Sequence, residues 1–388
     1  MKTMKKTLLP FLFGLCFLNA NSQMQYFPDA TWQVKTPADM KMNTKVVDSA
    51  VKFALSNENK VERDLRIANM KSYAREPGYK ILGPMKERGG PAGVLVKNGY
   101  IVAQWGDINR VDMTFSVTKS FLSTTAGLAI DNGLIRSVKD SVKEYVWDGT
   151  FDGRHNSKIT WDNLLNQTSD WSGTLFDLHD WADRPSKEGG IDDWSNRPLN
   201  EPGTFFKYND VGVNLLAYSL LQVWRKPLPM ILKEKIMDPI GASTNWRWYG
   251  YANSFVNVDG LMMQSVSGGG HSGGGIFISA IDQARFGLLF LRKGKWKNQQ
   301  LLSEKWVNAA HQSSSSNKEY GYMWWINANE KWKGVSPKVY FAAGFGGNYI
   351  VIDTANDLVV VTRWMDDSKM AEFMNLVEQS IIMQSNRK

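Results

Sequence analysis

The chain has 388 residues and a single cysteine, Cys16. That scarcity excludes disulfides, thiolate metal sites and a thiol nucleophile from any product that has lost its N-terminal leader. Only four histidines occur, at 155, 179, 271 and 311, and none forms an H-x-x-x-H or H-x-x-E-H pair. No metal or other cofactor is therefore expected. No serine sits in a G-x-S-x-G elbow, so an α/β-hydrolase has no support. No basic block or zinc-finger spacing interrupts the mixture of lysines and acids, so nucleic-acid binding is not expected. The 33 glycines follow no G-x-y period, which excludes collagen.

Long apolar runs are also few. Residues 7–19, TLLPFLFGLCFLN, follow Lys2, Lys5 and Lys6 and precede Ala20-Asn21-Ser22. A basic start, a short apolar stretch and small residues predict a secretory signal over 1–22, cut before Gln23. The run is too short to span a bilayer and Pro10 interrupts it, so stable membrane insertion is not expected. The reading is an exported protein, periplasmic or secreted. The leader lysines supply three of the formal +8, leaving +5. With 43% hydrophobic and 12% aromatic residues, the remainder is long enough for one large domain with a substantial core.

What is present reads in three blocks. A helix is expected over 46–70, with Val47, Val51, Ala54 and Leu55 on one face. Residues 94–106, VLVKNGYIVAQWG, place two β-rich runs around Asn98-Gly99, a strong hairpin signal. A long middle follows, with helices expected over 118–132, after Asp210 and over 281–291. The end returns to strands at 320–326, 338–343, 348–352 and 357–364, then a helix over about 367–383 carrying Met370, Met374, Val377 and Ile381. The simplest assembly pairs the first hairpin with the last strands, giving a sheet lobe (about 45–115 and 315–388) and a mostly helical lobe (about 116–314) of one catalytic domain, 23–388.

Three segments carry candidate chemistry. Thr114-Phe-Ser-Val-Thr-Lys-Ser120 contains S-x-x-K at a helix start. Residues three apart share a helix face, so Lys119 reaches Ser116. A lysine at a helix N-terminus loses its proton more readily and serves as base, while the same terminus favours developing negative charge. The bland alternative is a capping serine with an exposed lysine. The second segment is Phe206-Lys-Tyr-Asn-Asp210. A Tyr208 phenol beside an ammonium group ionises more readily and shuttles protons, with Asn209 or Asp210 as helix cap; the alternative is a core tyrosine. The third is Ala342-Ala-Gly-Phe-Gly-Gly-Asn348, either a plain hairpin turn or a strand edge whose N–H groups polarise a carbonyl. Trp171, Trp181 and Trp194 lie in turn-rich sequence and are candidates to line a cleft. Ser267-Gly-Gly-Gly-His-Ser-Gly-Gly-Gly275 lacks a following G-K-[ST] and reads as a loop supporting the cleft.

Five elements in this order, S-V-T-K (116–119), L-L-N-Q-T-S (164–169), F-K-Y-N-D (206–210), Y-G-Y-M-W-W (320–325) and A-G-F-G-G-N-Y (343–349), resemble the serine β-lactamase and penicillin-binding protein superfamily. The likeness covers roughly residues 45–385 and is nearest to the class C β-lactamase-like group of esterases, D-amino-acid peptidases and 6-aminohexanoate-dimer hydrolases. It implies an α/β (α+β) fold, an antiparallel five-stranded sheet flanked by helices plus a mostly helical lobe. It implies Ser116 as acylated nucleophile, Lys119 as general base, Tyr208 as proton shuttle, and the backbone N–H groups of Ser116 and Phe345 as oxyanion hole. Asp210, Trp171, Trp181, Ala342, Gly344 and Gly346 are the expected cleft residues. Two departures narrow the implication. The family's Y-x-N ends in Asp210, and its K-T-G corresponds to Ala342-Ala343-Gly344, with no lysine to meet a carboxylate. A small-molecule or oligomeric ester or amide is therefore the expected substrate, with hydrolysis through an acyl-enzyme. The alternatives are a cell-wall D-amino-acid peptidase or β-lactamase, and a non-catalytic binding module. The oligomeric state is left open.

Overall fold

The computed structural model describes residues 25–382; the expected signal segment lies outside the described residues. Asn98 and Gly99 both adopt positive φ (53° and 87°), as a two-residue turn between right-twisted strands demands. They join β1 (Ala92–Lys97) to β2 (Tyr100–Trp105). β1 then pairs antiparallel with the last strand of the chain, Ala92 opposite Arg363. Counting that last strand, four more complete this sheet, and another four form a second one. In chain order these are β3 (Asp112–Met113), β4 (Arg247–Val258), β5 (Leu261–Val266), β6 (Gly275–Ile278), β7 (Trp325–Ile326), β8 (Val339–Gly344), β9 (Asn348–Asp353) and β10 (Leu358–Arg363).

The main sheet runs β7-β8-β9-β10-β1-β2, all antiparallel. It has six strands rather than the implied five. The sixth, β7, is only two residues long because Tyr320–Trp324 form turns and a single bridge instead of extending the strand expected over 320–326. Period-two alternation sorts the side chains. Val94, Val96, Tyr340, Ile350, Ile352, Val359 and Val361 enter one apolar cluster with Phe286, Leu288 and Leu289 of α5 (Ala280–Leu291). Leu95, Val102, Phe341, Val351, Leu358 and Val360 enter another with Val47, Ala50 and Ala54 of α1 (Thr44–Ser56) and Met370, Phe373, Met374 and Val377 of α6 (Met370–Gln379). The sheet is thus covered on both faces, which explains its unbroken apolar runs.

Two expectations are corrected here. The helix expected over 46–70 is two helices, α1 and α2 (Leu65–Tyr73), each with its own side-chain cap, Asn43 and Asp64. The middle of the chain also holds a four-stranded sheet, β3-β6-β4-β5, whose long β4–β5 hairpin the sequence reading missed. α3 (Thr118–Asp131) and α4 (Asp210–Trp224) form as expected and pack against each other. Among the described residues no helix is long and apolar enough to cross a membrane.

Candidate active site

Ser116 sits in a single 3-10 turn, Phe115–Val117, that leads into α3. From Asp112 to Ala129 every other residue is buried, and Ser116 alone is partly exposed. The turn is pinned from three sides. Thr114 donates both its N–H and its hydroxyl to the Ile276 carbonyl on β6, at 2.9 and 3.0 Å. Ile276 N–H donates back to the Thr118 hydroxyl at 2.9 Å. Phe115 adopts φ +49°, a costly conformation for a side chain of that size, and its ring is wedged between Phe345 and Trp364. β8 ends against the same turn. A methyl group at Gly344 would stand 2.1 Å from the Thr114 carbonyl oxygen and 3.2 Å from the Ser116 nitrogen, so only glycine lets the strand end approach the Ser116 turn.

The Lys119 ammonium donates to Ser116 Oγ at 2.8 Å and to the Gly268 carbonyl at 3.3 Å. Its side chain is 1% exposed, and its charge is met by Asp210 Oδ1 at 2.7 Å. Tyr208 lies beside this pair: its ring centroid is 5.0 Å from Lys119 Nζ and 5.1 Å from the Arg184 guanidinium. The other family-like segments hold Tyr208 in place. Gln167 Oε1 accepts from Asn209 N–H at 2.8 Å, its carbonyl accepts from Lys207 N–H at 3.0 Å, and its amide donates to the Tyr320 hydroxyl at 2.7 Å. Trp325 stacks on Tyr208 at 5.9 Å. Asn209 is the helix cap, accepting from Gly212 N–H at 3.1 Å, which frees Asp210 to face Lys119.

Sequence reasoning missed the rest of the cluster. Asp210 Oδ2 accepts from Arg184 at 2.9 Å, and Arg184 also pairs with Asp183 at 2.8 Å. His271 Nδ1 lies 3.3 Å from Asp210 Oδ2 and 3.5 Å from Asp183 Oδ1, while its Nε2 lies 3.2 Å from Glu76. Glu76, Asp183 and His271 lie close enough to hold an ion, a grouping no spacing pattern revealed. The imidazole already stands between the two acids and Arg184 already pairs with Asp183, so the cluster is a charge-balanced network as it stands. The lone histidine among glycines at 267–275 was the only sequence signal for it.

The charges resolve in a definite direction. Burial works to lower the Lys119 pKa, but Asp210 with Tyr208 outweighs it and the lysine holds its proton more tightly than usual. This reverses the expectation from helix position alone. Burial opposes ionisation of Asp210 too, yet Arg184 and Lys119 keep its carboxyl well below the usual range. Burial likewise disfavours the His271 cation, and Asp210 and Asp183 overcome it, raising that pKa.

The other expected cleft residues have contacts of their own. Ala342 is 1% exposed and packs in the core beneath the sheet, so it lines no open cleft. Gly346 backs onto the Trp364 ring. Trp171 is buried, donates to the Thr150 carbonyl at 2.9 Å and lines a small cavity with Asp170, Asp180 and Lys207, without Ser116 or Lys119. Trp181 stacks on His179 at 5.1 Å.

Residues 86–372 match the Beta-lactamase family. The chain belongs to that family. No curated protein matches its sequence. Among solved structures it is similar to EstCE1, a hydrolase with promiscuous acyltransferase activity (14% identity, 87% of this chain and 100% of that one, TM-score 0.56). It is similar also to a family VIII carboxylesterase (17%, 81% and 96%, 0.55) and to a novel penicillin-binding protein homologue from Caulobacter crescentus (14%, 81% and 96%, 0.55). A Bacillus anthracis protein provisionally assigned as a 6-aminohexanoate-dimer hydrolase matches over 91% of this chain and 97% of its own, at 16% identity and TM-score 0.54. At these identities the likeness is one of fold.

Proposed function

We propose that this protein is an exported serine hydrolase that cleaves an ester or amide bond through an acyl-enzyme on Ser116. The observation that carries the reading is the 2.8 Å contact between Lys119 Nζ and Ser116 Oγ at the one accessible point of a buried segment. Ser116 Oγ bonds to the substrate carbonyl carbon, and its proton passes to Lys119 in the lysine's neutral form. The developing oxyanion is received by the backbone N–H groups of Ser116 and Phe345, an assignment supported by the close approach of Gly344, the residue before Phe345, to the Ser116 turn. The carbonyl–heteroatom bond breaks, and the leaving alcohol or amine takes a proton by way of Tyr208. Water then adds to the acyl carbon, releases the acid and restores the serine.

Substrate charge follows from the same residues. Ala342 offers no cation, and the nearest one to Tyr208 besides Lys119, Arg184, is held by Asp183 and Asp210. A neutral small-molecule or oligomeric ester or amide therefore suits the site better than a penicillin or peptide carboxylate. The EstCE1 and carboxylesterase likenesses agree with that choice. The test is a panel of p-nitrophenyl esters, anilides, linear amides and β-lactams, with Ser116→Ala as control. Turnover of esters or amides that vanishes in the variant is expected. β-Lactam turnover well above that of esters would overturn the substrate choice, and turnover by Ser116→Ala would overturn the mechanism.

A further inference from the structure

The loop Ser267–Gly275 is built to press against the Lys119–Asp210 pair. Its Gly268 carbonyl accepts from Lys119. A side chain at Gly270 would stand 2.5 Å from the Asp210 carboxyl carbon, so glycine brings the backbone onto that carboxylate. His271 follows, 7% exposed, with each ring nitrogen facing acids. Every element packed around it contributes a partner. α2 supplies Tyr73, stacked at 4.5 Å, and the turn after it supplies Glu76. The 180–184 segment supplies Asp183, with Arg184 bound to it, and α4 supplies Asp210.

We propose that His271 is a positioning residue for the acyl transfer, acting through Asp210 to set how firmly Lys119 holds its proton. The inference rests on the acyl-enzyme reading above. Asp210 divides its charge among Lys119, Arg184 and His271. With His271 protonated, three cations face the three carboxylates of Glu76, Asp183 and Asp210. When His271 loses its proton, the acids outnumber the cations and Lys119 binds its proton harder. The neutral lysine that accepts the Ser116 proton then becomes rarer. The two groups titrate as a coupled pair, so the effect has a pH signature. Charges separated by one shared carboxylate interact enough to alter the neutral lysine population about tenfold.

The experiment compares kcat/KM of the full-length protein with that of His271→Gln across pH 5–10, using a p-nitrophenyl ester. Below the His271 pKa the wild type should be about tenfold faster. That advantage should shrink toward none as pH rises and His271 becomes neutral. Glu76→Gln weakens the hold on the imidazole proton from its far side, so the window in which the advantage fades should move to lower pH. A ratio constant with pH, or a window unmoved by Glu76→Gln, would overturn the inference while leaving the acyl-enzyme reading intact. A wild type that forms no acyl adduct at Ser116 would overturn both. Should His271→Gln fail to fold, the imidazole titration of His271 in the wild type, followed by NMR, must coincide with a break in the wild-type rate profile; absence of that break contradicts the proposal.

Discussion

Two buried cation–carboxylate centres lie close to the Ser116 turn, and they are built differently. In one, Arg363 is buried and donates fixed hydrogen bonds to the Asn348 side chain at 2.7 Å, the Ile278 carbonyl at 2.8 Å and the Met113 carbonyl at 2.9 Å. Its companion Asp112 accepts from Trp364, Arg110 and the Gly89 N–H. Burial pulls the Arg363 pKa down to about 10, only partly offset by Asp112, which still leaves it charged at neutral pH. In the other, Lys119, Arg184 and His271 share Asp210 and its neighbours, and one partner of Lys119 is the accessible hydroxyl of Ser116. In the first centre the groups that receive Arg363 and tie β3, β6, β9 and β10 together are carbonyl and amide dipoles that do not titrate. The second is held by groups that do. A buried charge answered by backbone carbonyls is structural; one answered by titratable side chains around a partly accessible hydroxyl is suited to moving protons.

The variants that separate the two centres follow from this difference. Ser116→Ala should reduce ester turnover by roughly 10⁴-fold or more while leaving the thermal midpoint near that of wild type, checked by steady-state kinetics beside calorimetry. Arg363→Met should do the opposite. It leaves three buried acceptors without their donor, so unfolding in urea should show a loss of about 3–5 kcal/mol, with turnover per folded molecule retained. Asp210→Asn keeps the shape but removes the charge that holds the Lys119 proton. Its kcat/KM profile should move to lower pH, and an unmoved profile would mean that Asp210 does not govern the lysine. The same ion pair has a stability counterpart. The Asp210 pKa is depressed in the fold, so its stabilisation is present above the usual carboxylate range near 3.8 and disappears only as pH falls through the lower folded value. The smallest effect is expected at Trp171→Phe, which loses one indole hydrogen bond to Thr150, about 1 kcal/mol by urea unfolding, with no change in turnover.

Much of the first centre's scaffold was legible from local pattern. Asn98-Gly99 announced the β1–β2 turn, and the apolar runs at 338–364 announced β8 to β10 because both sheet faces are covered. Ser116, Lys119 and Tyr208 were legible because S-x-x-K lies within one helical turn and Tyr208 immediately precedes α4. What was not legible depends on contacts between distant loops. Asp183, Arg184 and His271 meet Asp210, and Glu76 meets His271, from three separate segments, and no period or spacing relates them. The β4–β5 hairpin escaped for another reason: its outer face alternates weakly, with Phe255, Leu261 and Met262 exposed. The lysine's tight hold on its proton was misjudged for the same cause as the cluster, since the partner that sets it is ninety-one positions away.

The most direct test of the central claim is intact-mass analysis of the folded protein after exposure to an activated acyl ester or phosphonate, followed by peptide mapping. A single adduct on Ser116, absent from Ser116→Ala, is the predicted result. Folded protein that stays unmodified, or an adduct carried on another residue, would contradict it.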